Sequence, residues 1–181
     1  MNEFAPDEKT LAERKGAITF FGNPLTLLGE AVIVGQKAPP FLALDGDLKP
    51  KKLEDFDGKV LIIASVPSLD TQVCDTEARR FNAEASLLGA DVRILVLSMD
   101  LPFAQKRWCA AADIDQVVTL SDHRYASFGS NWGVLIKELR LLARAVFVVG
   151  RDGLVKYVEL VPEGTHEPHY DAAINAAKAL L

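Results

Sequence analysis

The sequence contains few cysteines and histidines, and it lacks the short motifs of several common enzyme sites. Its 181 residues include 2 cysteines and 3 histidines, with no CxxC or HExxH spacing. His166 and His169 form a close pair, but two ligands are too few for a metal site, so we expect no metal. GxGxxG, GxxxxGK[ST] and GxSxG are also absent, which argues against nucleotide-binding and serine-hydrolase sites.

Long hydrophobic runs and an excess of positive charge are absent as well. No run approaches the roughly 20 residues that span a membrane. Residues 1–16 are charged and have no apolar core, so we expect no signal peptide and a cytoplasmic location. The net charge of −5 argues against a nucleic-acid partner, which would need a basic surface. In the cytoplasm cysteines are more often reactive than structural, so the two cysteines are the first candidates for chemistry.

The pattern of the chain predicts one α/β domain. In this interpretation residues 1–16 form a polar N-terminal arm and residues 17–181 form the domain. Two apolar pieces around a GNP turn predict an N-terminal β-hairpin. The apolar runs at 59–66 and 92–98 predict buried strands, and helical spacing from Cys74 fills the interval between them. Strand, helix and strand in this order predict a parallel βαβ unit.

The remaining segments predict further helices and strands of a mixed sheet. Asp100 is the candidate cap of a second helix, with Pro102 in its first turn. A short strand and a short helix follow, and then an antiparallel hairpin around the GRDG turn at 150–153. A final helix begins at Pro168, with Leu181 on its buried stripe. The predicted fold class is therefore α/β, a central mixed β-sheet flanked by helices, with an N-terminal β-hairpin.

Cys74 stands at the start of a predicted helix, in a setting that favours a reactive thiol. The helix follows the strand at 59–66, so free backbone N–H groups and the positive end of the helix dipole lie at its first turn. Both favour the thiolate, which is the nucleophilic form of cysteine. Thr71 places a hydroxyl shortly before Cys74, and Pro67 ends the strand rigidly and shields one side of the pocket. This combination suits attack on an oxygen electrophile.

A packing role for Cys74 is the alternative. Cys74 continues the apolar stripe of its helix, and cysteine is among the most buried residue types. Asp75 beside it also argues against activation, because a neighbouring carboxylate disfavours a second negative charge. The TxxC spacing after a strand favours chemistry, so both interpretations stay open on these residues alone.

The segment that contains Cys74 resembles the active-site motif of a known family. Pro67, Thr71 and Cys74 match the PxxxTxxC pattern of the peroxiredoxins, thiol-dependent peroxidases with a thioredoxin-like fold. Six collinear segments also resemble the thiol peroxidase subfamily, of the atypical 2-Cys type, over residues 17–181. They are ITFFGNPLTL, VPSLDTQVCDTEARRFN, SMDLPFAQKRWCAA, VVTLSDHR, LLARAVFVV and EPHYDAAI.

The resemblance implies a role for each residue of the motif. Cys74 would be the peroxidatic cysteine, whose thiolate attacks a hydroperoxide and becomes a sulfenic acid. Thr71 would hydrogen-bond the reacting oxygens. Arg144 matches the arginine beside the peroxidatic sulfur, where it would lower the pKa of the thiol and bind the peroxide. Spacing alone does not exclude Arg140, and the resemblance selects Arg144.

The second cysteine, Cys109, matches the resolving cysteine of the thiol peroxidases. By the resemblance it would condense with the Cys74 sulfenic acid and form an intramolecular disulfide. The line of its helix through Gln105 and Asp113 is polar and predicts a partly accessible thiol, with a semi-buried packing role as the alternative. A disulfide needs Cα atoms within about 7 Å, so we expect one or both of the predicted helices to unwind locally during the cycle.

The resemblance also implies substrates and partners. Hydrogen peroxide and alkyl or lipid hydroperoxides would be the substrates, thioredoxin would reduce the disulfide, and the protein would form a homodimer. No cofactor would be required. Two other functions stay open at this point: a peroxide sensor that passes its disulfide to a partner protein, and a non-catalytic binding module with the same fold.

Overall fold

The structure is a computed structural model that describes residues 6–181. The side chains of Cys74, Asp75, Ser86 and Leu87 also lie outside the described part of the chain. Within the described part, the strands are β1 Glu13–Phe20, β2 Asn23–Leu28, β3 Leu42–Leu44, β4 Pro50–Lys52, β5 Val60–Ser65, β6 Val92–Ser98, β7 Val118–Ser121, β8 Leu135–Ile136, β9 Ala145–Val149 and β10 Val155–Leu160. The helices are α1 Gln72–Leu88, α2 Pro102–Ala112, α3 Ser127–Asn131 and α4 Tyr170–Lys178, with short 3-10 helices at Glu8–Thr10 and Leu53–Phe56.

Seven strands form the central sheet, in the order β10-β9-β5-β6-β7-β3-β4. The strands β5, β6 and β7 are parallel, whereas β9 runs antiparallel to β5 and β3 runs antiparallel to β7. This arrangement confirms the predicted mixed sheet and the parallel βαβ unit. β1 and β2 form the predicted N-terminal hairpin, and β8 extends it to a three-stranded sheet.

β5 is buried on both faces because a layer of structure covers each face of the central sheet. Leu61 and Ile63 pack with the three-stranded sheet and α3, whereas Ile62 and Ala64 pack with α1 and α4. All residues of β5 are buried. The nearly unbroken apolar run of this strand follows from this position, since alternate residues enter different cores.

The predicted cap of α2 is wrong. α2 begins with Pro102 at its first turn, as predicted, but its cap residue is Leu101, without a side-chain hydrogen bond. The carboxylate of Asp100 binds Ser68 and Leu69 in another loop instead. Contacts with a distant segment have therefore replaced the local cap.

Two predicted boundaries also differ from the structure at the ends of the chain. β1 begins at Glu13, so the predicted limit of the N-terminal arm at residue 16 falls inside a strand. The division into an arm and a domain stays a prediction. α4 ends at Lys178, and Leu181, predicted on its buried stripe, is 56% exposed.

None of the helices in the described part of the chain combines the length and the hydrophobicity needed to cross a membrane.

A buried aspartate, Asp122, holds the start of α3 against the central sheet. It follows β7 and accepts hydrogen bonds from the backbone N–H groups of Phe128 at 3.0 Å and Gly129 at 2.8 Å. Asp122 is only 1% exposed, and burial raises its pKa to about 7. These bonds give the first turn of α3 the acceptor that its own cap residue, Ala126, does not provide.

Replacing Asp122 with alanine should lower the free energy of unfolding by about 3 kcal/mol, because two buried N–H groups lose their acceptor. Urea unfolding followed by circular dichroism measures this change. Asp152→Ala is the matched control: its carboxylate binds the Leu154 N–H in an exposed turn, so its loss should leave the unfolding midpoint nearly unchanged. Equal losses in the two variants would contradict the role assigned to Asp122.

Candidate active site

The pairing of β5 with β9 brings two predicted site residues together. The strands are antiparallel, and Ser65 at the end of β5 pairs with Ala145 at the start of β9. Pro67 follows β5 and Arg144 precedes β9, so both lie at the same end of the central sheet. The Ser65 hydroxyl holds the end of β5 next to the segment before β9, since it donates a hydrogen bond to the Ala143 carbonyl at 2.7 Å.

Pro67, Thr71 and Arg144 line one cavity of about 240 Å³. Its walls are mainly apolar, with Phe20 and Phe21 contributed by the β1–β2 hairpin. The start of α1 and the loop after β10 supply the other lining residues, Gln72, Val73, Gly164 and Thr165. The structure therefore places three of the predicted site residues around one cavity, while their chemical roles stay predictions.

Cys74 is the third residue of α1, which begins at Gln72, two residues before the predicted start. Its backbone therefore lies in the first turn, beside free N–H groups and the positive end of the helix dipole. Val73, directly before it, lines the cavity. The predicted chemistry of Cys74 and the predicted influence of Asp75 depend on side chains that lie outside the described residues.

Arg144 is held at the cavity by a buried ion pair with Glu77. Arg144 Nη1 lies 2.5 Å from Glu77 Oε2, and the two side chains are 2% and 0% exposed. Arg144 Nε and Nη2 donate to the Gly164 carbonyl at 3.3 and 3.2 Å. Burial raises the pKa of Glu77 to about 7, and the charge and the hydrogen bond of Arg144 oppose this rise. The pair fixes the orientation of the guanidinium in a place that water hardly reaches.

Sequence reasoning missed Glu77, and the alternative arginine lies elsewhere. Glu77 stands three residues after Cys74 in α1, so both positions fall on one side of the helix, and this spacing is the signal that could have identified it. Arg140 forms a surface ion pair with Glu8 at 2.7 Å, and its side chain is 49% exposed. Arg144, and not Arg140, lines the cavity.

Thr71 lies in the turn that leads into α1. Its hydroxyl and its backbone N–H both donate to the Ser68 carbonyl, at 3.1 and 3.3 Å. The residue is exposed at the lining of the cavity. A hydroxyl therefore lies at the edge of the cavity, and its hydrogen bond to a peroxide stays a prediction.

Glu163 fixes the hairpin wall of the cavity. Its carboxylate accepts hydrogen bonds from the N–H groups of Phe21 at 3.0 Å and Gly22 at 3.1 Å, and from the Thr19 hydroxyl at 2.7 Å. The bond from Thr19 is the main cause that lowers the pKa of Glu163 to about 2. Phe21 is 77% exposed beside the cavity. Sequence reasoning missed Glu163 because its partner Phe21 lies 142 residues away in the chain.

Cys109 lies on α2, at the edge of the core between α1 and the central sheet. It carries a half-buried free thiol, and its Sγ atom lies 3.5 Å from Thr119 Oγ1 on β7. Burial raises the pKa of Cys109, so the neutral thiol predominates at neutral pH. The intermediate exposure of Cys109 agrees with the predicted partly accessible thiol. Gln105, on the same helix, is 1% exposed and donates to Ser98 and to the Leu120 carbonyl.

His166 and His169, the pair considered for a metal, follow β10. His169 Nδ1 lies 2.7 Å from Glu159 Oε1, and the His169 N–H donates to the same carboxylate. Among the side chains that the structure describes, no three His, Cys, Asp or Glu groups cluster as metal ligands.

Comparison with known proteins relates these features to a family. The Redoxin family profile matches residues 33–174. A thiol peroxidase from Halalkalibacterium halodurans is 58% identical over 165 residues, which cover 91% of this chain and 99% of that protein. A thiol peroxidase from Bacillus subtilis is 57% identical over 164 residues, which cover 91% of this chain and 98% of that protein.

Solved structures agree with these sequence relatives and confirm the predicted peroxiredoxin fold. A peroxiredoxin-like protein from Aquifex aeolicus has a TM-score of 0.86 and 43% identity, over 94% of this chain and 99% of its own. A thiol peroxidase from Chromobacterium violaceum, 19% identical, has a TM-score of 0.79 over 90% of this chain and 95% of its own, which supports the fold alone. The chain therefore belongs to the Redoxin family, as a peroxiredoxin of the thiol peroxidase group.

Proposed function

We propose that this peroxiredoxin reduces hydroperoxides with Cys74 as its nucleophile. The Cys74 thiolate attacks the terminal oxygen of ROOH, the O–O bond breaks, and the sulfur becomes a sulfenic acid. The RO⁻ group takes up a proton and leaves as an alcohol, or as water when the substrate is hydrogen peroxide. The observation that carries the proposal is the cavity that Pro67, Thr71 and Arg144 line beside the first turn of α1.

Arg144 supplies the positive charge that favours this attack. Its guanidinium is almost fully buried, so solvent screens its field only weakly. Together with the dipole of α1, it stabilises the thiolate and the oxyanion that leaves. Glu77 offsets part of this charge, while burial raises the pKa of Glu77 and so opposes its ionisation.

The walls of the cavity suit substrates with an apolar group. Phe20, Phe21, Pro67 and Val73 surround the space beside the cationic Arg144. An alkyl or lipid hydroperoxide can place its chain on these side chains and its peroxide group near the cation and the Thr71 hydroxyl. Hydrogen peroxide needs only the polar part of the same site.

Cys109 completes the cycle as the resolving cysteine. Its thiol attacks the sulfur of the Cys74 sulfenic acid, which gives an intramolecular disulfide and one molecule of water. Burial raises the pKa of Cys109 in the folded protein, so its nucleophilicity increases when local unwinding exposes it. The raised pKa and the half-buried position thus keep Cys109 inactive until the helices move.

Thioredoxin is the proposed reductant, because thiol–disulfide exchange by a dithiol protein returns both cysteines to the reduced form. The cytoplasm, where such reductants keep thiols reduced, is the proposed location. We also propose a homodimer that uses the face near the cavity. Phe21, an aromatic side chain that is 77% exposed there, supports such a contact.

Treatment with one equivalent of hydroperoxide should remove two hydrogens from the protein and join Cys74 to Cys109. Cys74→Ser should show no rapid reaction, and Cys109→Ser should stop at a sulfenic or more oxidised Cys74, because the resolving thiol is missing. Mass spectrometry of the intact protein and of its peptides measures these products.

A clean intramolecular product in Cys109→Ser would contradict the resolving role of Cys109. Continuous consumption of peroxide with thioredoxin as reductant would favour the enzyme. A single oxidation without recycling would favour the peroxide sensor.

Arg144→Lys should slow the reaction of Cys74 with hydroperoxide about 100-fold. Lysine keeps the charge but loses the planar fork that binds Glu77 and the Gly164 carbonyl. Stopped-flow measurement of a single turnover gives this rate. Arg140→Lys is the matched control, since it changes a surface arginine in the same way and should keep the wild-type rate. Equal effects of the two substitutions would contradict the placement of Arg144 in the site.

Phe21→Ala should raise the KM for cumene hydroperoxide about fivefold, because the cavity loses part of its apolar wall. The KM for hydrogen peroxide should stay nearly unchanged, since this substrate has no apolar group. Ile33→Ala is the matched control: Ile33 is 63% exposed and does not line the cavity. If both peroxides responded equally to Phe21→Ala, the hairpin wall would not contribute to substrate selection.

A further inference from the structure

A carboxylate joins the segment before α1 to the segment before α2. Asp100 Oδ1 accepts a hydrogen bond from the Ser68 hydroxyl at 2.7 Å, and Asp100 Oδ2 accepts one from the Leu69 N–H at 2.8 Å. Ser68 and Leu69 belong to the loop from β5 to α1, the helix of Cys74. Asp100 directly precedes the segment that starts α2, the helix of Cys109. One side chain thus connects the two elements that carry the cysteines.

Asp100 is itself fixed to the edge of the central sheet. The Ser98 hydroxyl, at the end of β6, donates to Asp100 Oδ2 at 2.8 Å. The Ser121 hydroxyl, at the end of β7, donates to the Asp100 carbonyl at 2.5 Å. Gln105 Nε2 on α2 donates to Ser98 Oγ at 3.0 Å and to the Leu120 carbonyl at 2.9 Å. Hydrogen bonds from the ends of β6 and β7, supported by Gln105 of α2, therefore fix the position of Asp100.

From Ser68 the connection continues to the start of α1. The Ser68 carbonyl accepts hydrogen bonds from the N–H and the hydroxyl of Thr71, and the Ser68 hydroxyl oxygen accepts one from the Asp70 N–H. Gln72, the first residue of α1, follows directly. Release of Ser68 from Asp100 therefore loosens the turn that begins the helix of Cys74.

Apolar packing also acts at this junction, since Leu69 is 2% exposed and lies in the core against which Trp108 of α2 packs. A cavity of about 370 Å³ lies beside these side chains. Leu69, Asp100 and Trp108 are among the residues that line it. Gln105 also lines the cavity, and its Oε1 atom is buried with no hydrogen-bond partner among the described residues. The hydrogen bonds of Asp100 are the polar, charge-assisted contacts that join the loop to the segment before α2.

We propose that Asp100 is a positioning residue that acts as a latch between the two cysteine-bearing elements. It holds the folded site during peroxide attack and releases Ser68 and Leu69 before the disulfide forms, a role that rests on the proposed function. In the step that it controls, the Cys109 thiol attacks the sulfur of the Cys74 sulfenic acid. An S–S bond forms, the S–O bond breaks, and the hydroxyl leaves as water with the thiol proton.

The latch determines which of two products the sulfenic acid gives. While the latch is closed, a second hydroperoxide converts Cys74–SOH to the sulfinic acid and is itself reduced to ROH. When the latch opens, disulfide formation removes the sulfenic acid. A weaker latch therefore gives faster disulfide formation and less sulfinic acid. A contact that served stability alone would change the unfolding midpoint without changing this ratio of products.

Asp100→Ala removes both contacts of the latch, whereas Ser68→Ala removes one and keeps the bond to the Leu69 N–H. Rapid quenching after a pulse of hydrogen peroxide, followed by alkylation and mass spectrometry, measures the sulfenic acid, the disulfide and the sulfinic acid. The disulfide step should become about tenfold faster in Asp100→Ala and about threefold faster in Ser68→Ala, since charge-assisted hydrogen bonds are lost. The sulfinic fraction should fall in the same order.

Two further variants separate the latch from a general loss of stability. Asp100→Asn can keep both contacts through a neutral amide, so its disulfide rate should lie between those of the wild type and Asp100→Ala. Asp55→Ala is the matched control: Asp55 also accepts a backbone N–H at 2.8 Å, from Lys52, but at the start of its own 3-10 helix. This control should keep the wild-type ratio of disulfide to sulfinic acid.

An unchanged or slower disulfide step in Asp100→Ala would overturn the latch and leave the proposed function intact. Absence of a Cys74–Cys109 disulfide in the oxidised wild type would overturn the proposed function itself. If Asp100→Ala did not fold, the rate in Ser68→Ala would decide: a faster step supports the latch, and an unchanged step contradicts it.

Discussion

The buried ion pair between Arg144 and Glu77 is the interaction on which the proposed chemistry depends. It joins the start of β9 to α1, so the cation and the helix of Cys74 are held against each other. Burial of two charges costs several kcal/mol for each ion, and the cost is offset only by close approach and further hydrogen bonds. The Gly164 carbonyl supplies such bonds to the guanidinium. The pair therefore determines both the charge and the shape of the cavity, because it leaves the guanidinium one orientation.

This edge of the sheet has to satisfy two opposing requirements. Attack on a peroxide needs a fixed cavity, whereas the proposed disulfide needs local unwinding of one or both cysteine-bearing helices. The structure separates the contacts accordingly. The pair of Arg144 and Glu77 is deeply buried, one turn into α1, and so can persist while the first turn unwinds. The contacts of Asp100 with Ser68 and Leu69 are hydrogen bonds in the loop before α1, beside a cavity.

The sequence identified the features whose signals are local. An unbroken apolar run predicted β5, helical spacing predicted α1, and the PxxxTxxC pattern indicated which cysteine to examine. The contacts of Glu77, Glu163 and Asp100 were not predicted, because their hydrogen-bond partners are remote in sequence. The separations are 67, 142 and 31 residues. Charged residues are usually exposed, so nothing near Glu77 indicated a buried ion pair. The position of Asp100 before a helix favoured a capping role. Only the folded chain shows that its carboxylate accepts hydrogen bonds from the loop that follows β5.

The most direct test is the pKa of the Cys74 thiol, measured from the ultraviolet absorbance of the thiolate in Cys109→Ser, where only one cysteine titrates. A buried guanidinium and the positive end of α1 predict a pKa well below that of free cysteine. A thiol that stayed protonated up to or beyond the pKa of free cysteine would contradict the central claim, because the cavity would then hold no activated nucleophile.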